Sequence, residues 1–302
     1  EYRSYEWSLH GKYIAYVPPA GKAMDQVYIY NTENGQKHAV TSQWHNSNDP
    51  VFSPDGKYLY FESQTEYDPI YNNAEWNVAY QDMNKLYLVT LQKDVPNPFA
   101  PGKEDEEKEE NGDKEGDKDE PITIDFDRIT DRIIALPVEA GNYYNLTALE
   151  GKLLYNYYNS GKSESKLKVF DLKKEEESTL GERMGYTLAA GGKKIFIRKS
   201  EKYYVTDFNP SALKLETPVD LSEMQVRVNL QAEWEQIYNE AWRQMRDFFY
   251  VENMHGVDWP AMRDKYAKLL PYATHRADVS YLIGELIGEL NVGHAYVGGG
   301  DL

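Results

Sequence analysis

The 302-residue chain contains no cysteine. That excludes disulfides, thiolate nucleophiles and cysteine-built metal sites. It leaves the compartment open, because cysteine-free chains suit cytosol and periplasm alike. No apolar run approaches the roughly 18 residues of a membrane-spanning helix. Positive charge is scarce: 33 Lys and Arg stand against 50 Asp and Glu, a net charge of −17. A surface that acidic repels phosphate backbones and anionic lipid, which disfavours nucleic acid and membranes as partners. There are six histidines, and none forms an HExxH or HxH metal pair. No GxSxG nucleophile elbow is present either. No metal or cofactor is therefore expected. The chain opens at Glu1 inside a strand-like pattern, without a Met or a signal-type segment, and reads as an internal fragment.

What is abundant is tyrosine, 26 residues of it, which favours half-buried strands with one face packed and the hydroxyl wet. A short outline also recurs. Trp7-Ser8-Leu9-His10-Gly11-Lys12-Tyr13-Ile14 matches Phe52-Ser53-Pro54-Asp55-Gly56-Lys57-Tyr58-Leu59, then Glu150-Gly151-Lys152-Leu153, then Gly191-Gly192-Lys193-Lys194-Ile195. In the second copy Ser53 can bond the bend, Pro54 fixes φ at the first corner and Gly56 supplies positive φ at the exit. A further strand follows each turn, at Val27–Tyr30, Leu86–Val89, Leu167–Phe170 and Tyr203–Val205. A period of about 40–45 residues built from short strands is the signature of propeller blades. Residues 1–225 are expected to form four blade-like units of a larger propeller.

The second-to-third spacing is about one repeat too long. Much of the excess is the 102–121 stretch, in which residues 103–120 hold 11 acidic and 4 basic residues and nothing apolar. It reads as a solvated, disordered loop without the ligand spacing of a calcium site.

From residue 231 the period changes from two to 3.6. Trp234, Ile237, Tyr238, Ala241, Trp242, Met245, Phe248 and Phe249 form one helical stripe. Asp258 and Pro260 open a second helix, with Trp259, Met262, Tyr266, Leu269 and Leu270 inward. Asp278 is read as the cap of a third, with Leu282, Ile283, Leu286, Ile287 and Leu290 inward. The fold class is thus a β + α multidomain chain, propeller blades followed by a small helical bundle. His294 follows Gly293 at the expected end of the third helix and precedes a strand-like Ala295-Tyr296-Val297. That is a rigid mount suited to a general base. On spacing alone, a lone histidine near an apolar helix more often just satisfies a backbone carbonyl.

The run Ala232-Glu233-Trp234-Glu235-Gln236-Ile237, Glu240-Ala241-Trp242-Arg243, Arg246-Asp247-Phe248-Phe249-Tyr250, Met254-His255-Gly256-Val257-Asp258-Trp259 and Gly293-His294-Ala295-Tyr296 resembles the first catalytic subdomain of the tricorn protease family. These are serine peptidases related to the C-terminal processing peptidases. The blade turn Phe52-Ser53-Pro54-Asp55-Gly56 resembles the family's propeller repeat, which many propellers share. The family order is two propellers, a helical subdomain, a PDZ-like domain and an α/β subdomain bearing the serine. The resemblance therefore implies later blades of the second propeller at 1–225, the helical catalytic subdomain at 226–297, and the start of a linker to a PDZ-like domain at 298–302. It implies endopeptidase activity on unfolded peptides, with His294 as general base and the serine and oxyanion hole in domains outside this chain, so that the fragment alone is inactive. Where the archaeal enzyme carries a serine before this histidine, this chain has Gly293, which puts that helper's role in doubt. Expected partners are peptide substrates, the PDZ-like and serine-bearing domains of the same protein, and further copies in a homo-oligomer. The family includes cytosolic and exported members, with a lean here toward the periplasm. Two other classes compete. A non-enzymatic propeller scaffold would bind peptides or proteins without turnover. A prolyl-oligopeptidase-type enzyme would place a GxSxGG-bearing sheet where the helices lie.

Overall fold

The computed structural model describes residues 4–19, 24–72, 77–101, 122–189 and 191–300. The acidic 102–121 stretch lies outside the described residues. The chain divides into two compact units, Glu1–Asp220 and Leu221–Leu302.

The first unit is a series of antiparallel sheets. Strands β1 (Ser4–Trp7), β2 (Tyr13–Val17), β3 (Tyr28–Asn31) and β4 (Lys37–Ala39) form the first, in sequence order. The second contains β5 (Ser47–Phe52), β6 (Tyr58–Gln64), β9 (Asn84–Thr90) and β10 (Ile133–Ala135), with a separate hairpin of β7 (Pro69–Asn72) and β8 (Asn77–Tyr80) inserted between β6 and β9. The third runs through β11 (Asn142–Leu149), β12 (Lys152–Asn159), β13 (Glu164–Asp171) and β14 (Glu176–Glu182), and the fourth through β15 (Gly185–Leu188), β16 (Lys194–Lys199) and β17 (Lys202–Asp207). These are propeller blades. The inserted hairpin, together with the chain between β9 and β10, accounts for the overlong second repeat.

The repeated turn joins the first two strands of each blade, and its chemistry explains the sequence. In the second blade the Tyr58 N–H donates to Ser53 Oγ at 2.9 Å, and Ser53 Oγ donates to Asp55 at 2.6 Å. In the first, the Tyr13 N–H donates to Ser8 Oγ at 3.0 Å. Gly56 turns at φ 68°, and a Cβ there would stand 2.7 Å from Ile122. Both the torsion and the close approach therefore call for glycine. In the fourth blade Ala189 takes the serine's place, yet the backbone bonds Ala189 N–H to Lys194 O and Gly192 N–H to Ala189 O persist at 2.9 and 3.0 Å. The third blade departs from the pattern. Leu149 pairs directly with Lys152, so Glu150-Gly151 is a two-residue turn.

Neighbouring blades pack through apolar clusters. Ile29, Leu59, Phe61 and Val89 lie in the first, Tyr60, Leu88, Leu153 and Phe170 in the second, and Leu154, Leu167, Ile195 and Ile197 in the third. The first strands of successive blades are also clasped to one another. The Phe52 N–H donates to Glu6 at 2.9 Å, the Leu146 N–H to Asp49 at 2.9 Å, and Asn145 Nδ2 to the Tyr186 carbonyl at 3.1 Å. The tyrosines differ from the expectation of wet hydroxyls. Tyr60, Tyr143, Tyr155 and Tyr186 are buried. The Tyr186 hydroxyl donates to the Leu154 carbonyl at 3.0 Å, and burial pushes its ionisation well upward.

The second unit holds α1 (Leu230–Phe248), α2 (Trp259–Ala267) and α3 (Arg276–Gly288). Trp234, Tyr238 and Trp242 of the α1 stripe are buried, whereas Phe248, at the last helical position, is 75% exposed. Asp258 caps α2 by accepting the Ala261 N–H at 3.0 Å. Helix α2 ends at Ala267, so Leu269 leaves the stripe and stands 48% exposed. The start of α3 corrects the sequence reading. His275 is the N-cap and Asp278 is the third helical residue, closing a capping box by accepting the His275 N–H at 3.0 Å and the Thr274 N–H at 2.8 Å. Those donors hold the Asp278 carboxyl below the ordinary carboxylate range.

Candidate functional site

The helical unit is built around a tryptophan pair. Trp242 Nε1 donates to the Trp259 carbonyl at 3.0 Å, and Trp259 Nε1 donates to the Trp242 carbonyl at 3.1 Å. Each indole thus satisfies its single donor inside the core while joining α1 to α2. The Tyr238 hydroxyl adds a bond to the Arg263 carbonyl at 2.7 Å, and burial pushes its ionisation up to about 12.

The end of α3 is held at two points. Glu289 accepts from Lys265 Nζ at 2.6 Å and from the Tyr266 hydroxyl at 2.7 Å, contacts that lower its own pKa and raise those of Lys265 and Tyr266. Next to it, the fully buried Leu290 gives its carbonyl to His255 Nδ1 at 2.9 Å. The chain then reverses. Asn291 takes φ 51° and His294 φ 60°, both in the left-handed region that is unfavourable for most side chains. Residues 292–297 run back beside α3. On one side they line a groove of about 430 Å³ with Tyr281, Gly284 and Gly288. On the other they line a groove of about 590 Å³ with Met245, Phe249 and Ile287 of the helical core.

His294 sits on this returning segment, six residues past Gly288, and not at the helix end as the sequence suggested. The Ala295-Tyr296-Val297 stretch is likewise irregular and forms no strand. The cause is local: the left-handed residues at 291 and 294 turn the backbone away from strand geometry, and among the described residues of this unit there is no strand for it to join. The His294 ring is exposed and meets Tyr296 edge-on at 6.5 Å, and no hydrogen bond from a described residue reaches it. Gly293 before it has open space, with no atom within 4 Å of where a Cβ would stand.

No motif in the sequence singles out His255. Its ring bonds in both directions, to Leu290 through Nδ1 and to the Tyr250 hydroxyl through Nε2 at 2.6 Å. Among the described residues no group of three or more His, Asp or Glu is placed to hold a metal ion. No described helix is long and apolar enough to cross a membrane.

Comparisons with known proteins fit this division. Residues 1–209 match the description "Tricorn protease second beta propeller domain" and residues 230–288 match "Tricorn protease C1 domain". The chain is 28% identical to "Tricorn protease homolog 1" of Streptomyces coelicolor, over 96% of its own length and 29% of that protein. It is 25% identical to "Tricorn protease" of Thermoplasma volcanium, over 97% of its length and again 29% of the relative. It thus spans about three-tenths of these curated relatives. A solved structure, "Crystal structure of the tricorn protease", superposes with a TM-score of 0.78 at 22% identity, covering 99% of this chain and 30% of that one. At that identity the likeness speaks for the fold.

Proposed function

Because this chain belongs to the tricorn protease family, we propose that the intact protein is a serine endopeptidase acting on unfolded peptides and that His294 is its general base. In this reading residues 1–225 are propeller blades that screen and guide substrate. Residues 226–297 are the helical catalytic subdomain, and residues 298–302 begin the passage to a PDZ-like domain. The nucleophilic serine and the oxyanion hole belong to sequence outside these 302 residues, so the chain alone is inactive.

The His294 ring nitrogen accepts the serine hydroxyl proton as the serine oxygen bonds to the scissile carbonyl carbon. The same proton then passes to the leaving amine as the C–N bond breaks. Water repeats the cycle on the acyl-enzyme, and the serine recovers its proton. The observation that carries the reading is the state of this ring. A structural histidine bonds a backbone carbonyl, as His255 does with Leu290. His294 is exposed and free of such bonds among the described residues, on a segment anchored through buried Leu290. Orientation of the ring then falls to its left-handed backbone, the Tyr296 edge and the domain that brings the serine.

Substituting His294→Ala in the full-length protein is expected to remove turnover of an unstructured fluorogenic peptide and to leave the melting temperature within about 2 °C, as for an exposed side chain. Wild-type turnover in that variant would reject the assignment in favour of the binding scaffold.

A further inference from the structure

The three residues Met254, His255 and Gly256 all have positive φ, at 50°, 55° and 81°. Two consecutive non-glycine residues in the left-handed region cost free energy that something in the fold must offset. What this conformation achieves is the aim of the His255 side chain. From the turn between α1 and α2 it reaches 35 positions along the chain to Leu290. A carbonyl oxygen can only accept, so Nδ1 carries the proton. Nε2 of the neutral ring is then an acceptor, and the Tyr250 hydroxyl donates to it at 2.6 Å. Phe249 and Tyr250 both meet the ring edge-on, at 5.2 and 5.4 Å, which limits its rotation. One tautomer in one orientation is thereby selected.

We propose that His255 is a positioning residue for His294, clamping the Leu290 carbonyl so that the returning segment leaves α3 in one fixed direction. This rests on the reading of His294 as general base. The geometry favours it over a generic packing role. Leu290 is fully buried, only three residues separate it from His294, and the backbone turns left-handed immediately after it. The second clamp, Glu289 with Lys265 and Tyr266, fixes the helix end itself. The His255 bond acts one residue further on, where the chain departs from the helix. Releasing it would let the His294 ring swing without unfolding the tryptophan-centred core.

The chemistry supplies a discriminating pair of variants. The amide nitrogen of asparagine stands where Nδ1 stands, and asparagine tolerates positive φ. Glutamine places its amide nitrogen near the Nε2 position and cannot keep the Leu290 bond from the same backbone. Full-length enzyme carrying His255→Asn, His255→Gln or His255→Ala is assayed with a fluorogenic peptide amide beside His294→Ala, with rates referred to folded protein by near-UV circular dichroism. His255→Asn is expected to stay within about twofold of wild type. His255→Gln and His255→Ala are expected to lose about tenfold or more in kcat with KM unchanged, the mark of a misaimed catalytic group. With His294→Ala inactive, equal rates for the Asn and Gln variants, or a loss confined to KM, would overturn the positioning role alone. Turnover surviving in His294→Ala would instead overturn the general-base reading, and the positioning role with it.

Discussion

The most quantitative consequence of the fold concerns a carboxylate cluster of Glu6, Asp49 and Glu62 on β1, β5 and β6 of the propeller unit. Glu62 on β6 is pushed up from an ordinary 4.5 to about 8, first by burial and then by the nearby charge of Asp49, against a lowering bond from Asn84. Glu6 on β1 rises to about 7, again chiefly through burial, and Asp49 on β5 is raised for the same first reason. A folded-state pKa above the unfolded value means that the native unit binds protons the unfolded chain would release. The stabilisation is therefore full below about pH 4.5 and is lost as pH rises through the folded values near 7 and 8. For Glu62 the rise from 4.5 to about 8 corresponds to about 5 kcal/mol at most, at about 1.4 kcal/mol per pH decade. Because Asp49 shares the interaction, about 3 kcal/mol is a more suitable expectation, or roughly 10 °C in melting temperature for a unit of this size. Glu62→Gln removes the charge and keeps a carbonyl to accept from Asn84 Nδ2, now 2.5 Å from the carboxylate. Calorimetric melts at pH 5, 6.5 and 8.5 should show the wild-type unit weakening with pH and the variant weakening less steeply, because Glu6 and Asp49 still titrate, and more stable at pH 8.5. Equal slopes for the two proteins, or a wild-type melting temperature that climbs over this window, would refute the reasoning.

Two substitutions test the packing directly. A Cβ on Gly141 would overlap the Tyr157 ring, so Gly141→Ala should destabilise the propeller unit by about 1–3 kcal/mol in urea unfolding; an unchanged midpoint would contradict the close approach. Gly293 has open space and no positive φ, so Gly293→Ser should leave stability within about 0.5 kcal/mol and leave the full-length kcat equal or higher; a loss of stability would show that the segment around His294 is packed differently.

The blades were legible because their strands alternate and a glycine-bearing turn recurs between the first two strands of each. The turn glycines Gly11, Gly56, Gly151 and Gly192 all carry positive φ. The β7–β8 hairpin was not legible. Ile70, Tyr71, Val78 and Tyr80 are each about half exposed, so no alternation marks a buried face. The helical stripes survived except at their ends, where Phe248 and Leu269 fall outside the turns that reach the core. At α3, aspartate is a good cap on its own, but His275 three residues earlier already held that place and left Asp278 to close the box. His294 was singled out by its neighbours in sequence, yet its setting was misjudged because left-handed torsions at Asn291 and His294 leave no mark in apolar periodicity. His255 escaped notice because its partner Leu290 lies 35 residues away, beyond any local pattern.

In the proposed reading, His294 activates a serine supplied by the rest of the protein. The most direct measurement is labelling of the full-length protein with a fluorophosphonate, followed by peptide mapping, with wild type and His294→Ala side by side. One modified serine outside these 302 residues is expected in the wild type, and little or no modification in the variant. Labelling of His294→Ala at the wild-type rate, or a wild-type protein that takes up no label, would contradict that reading.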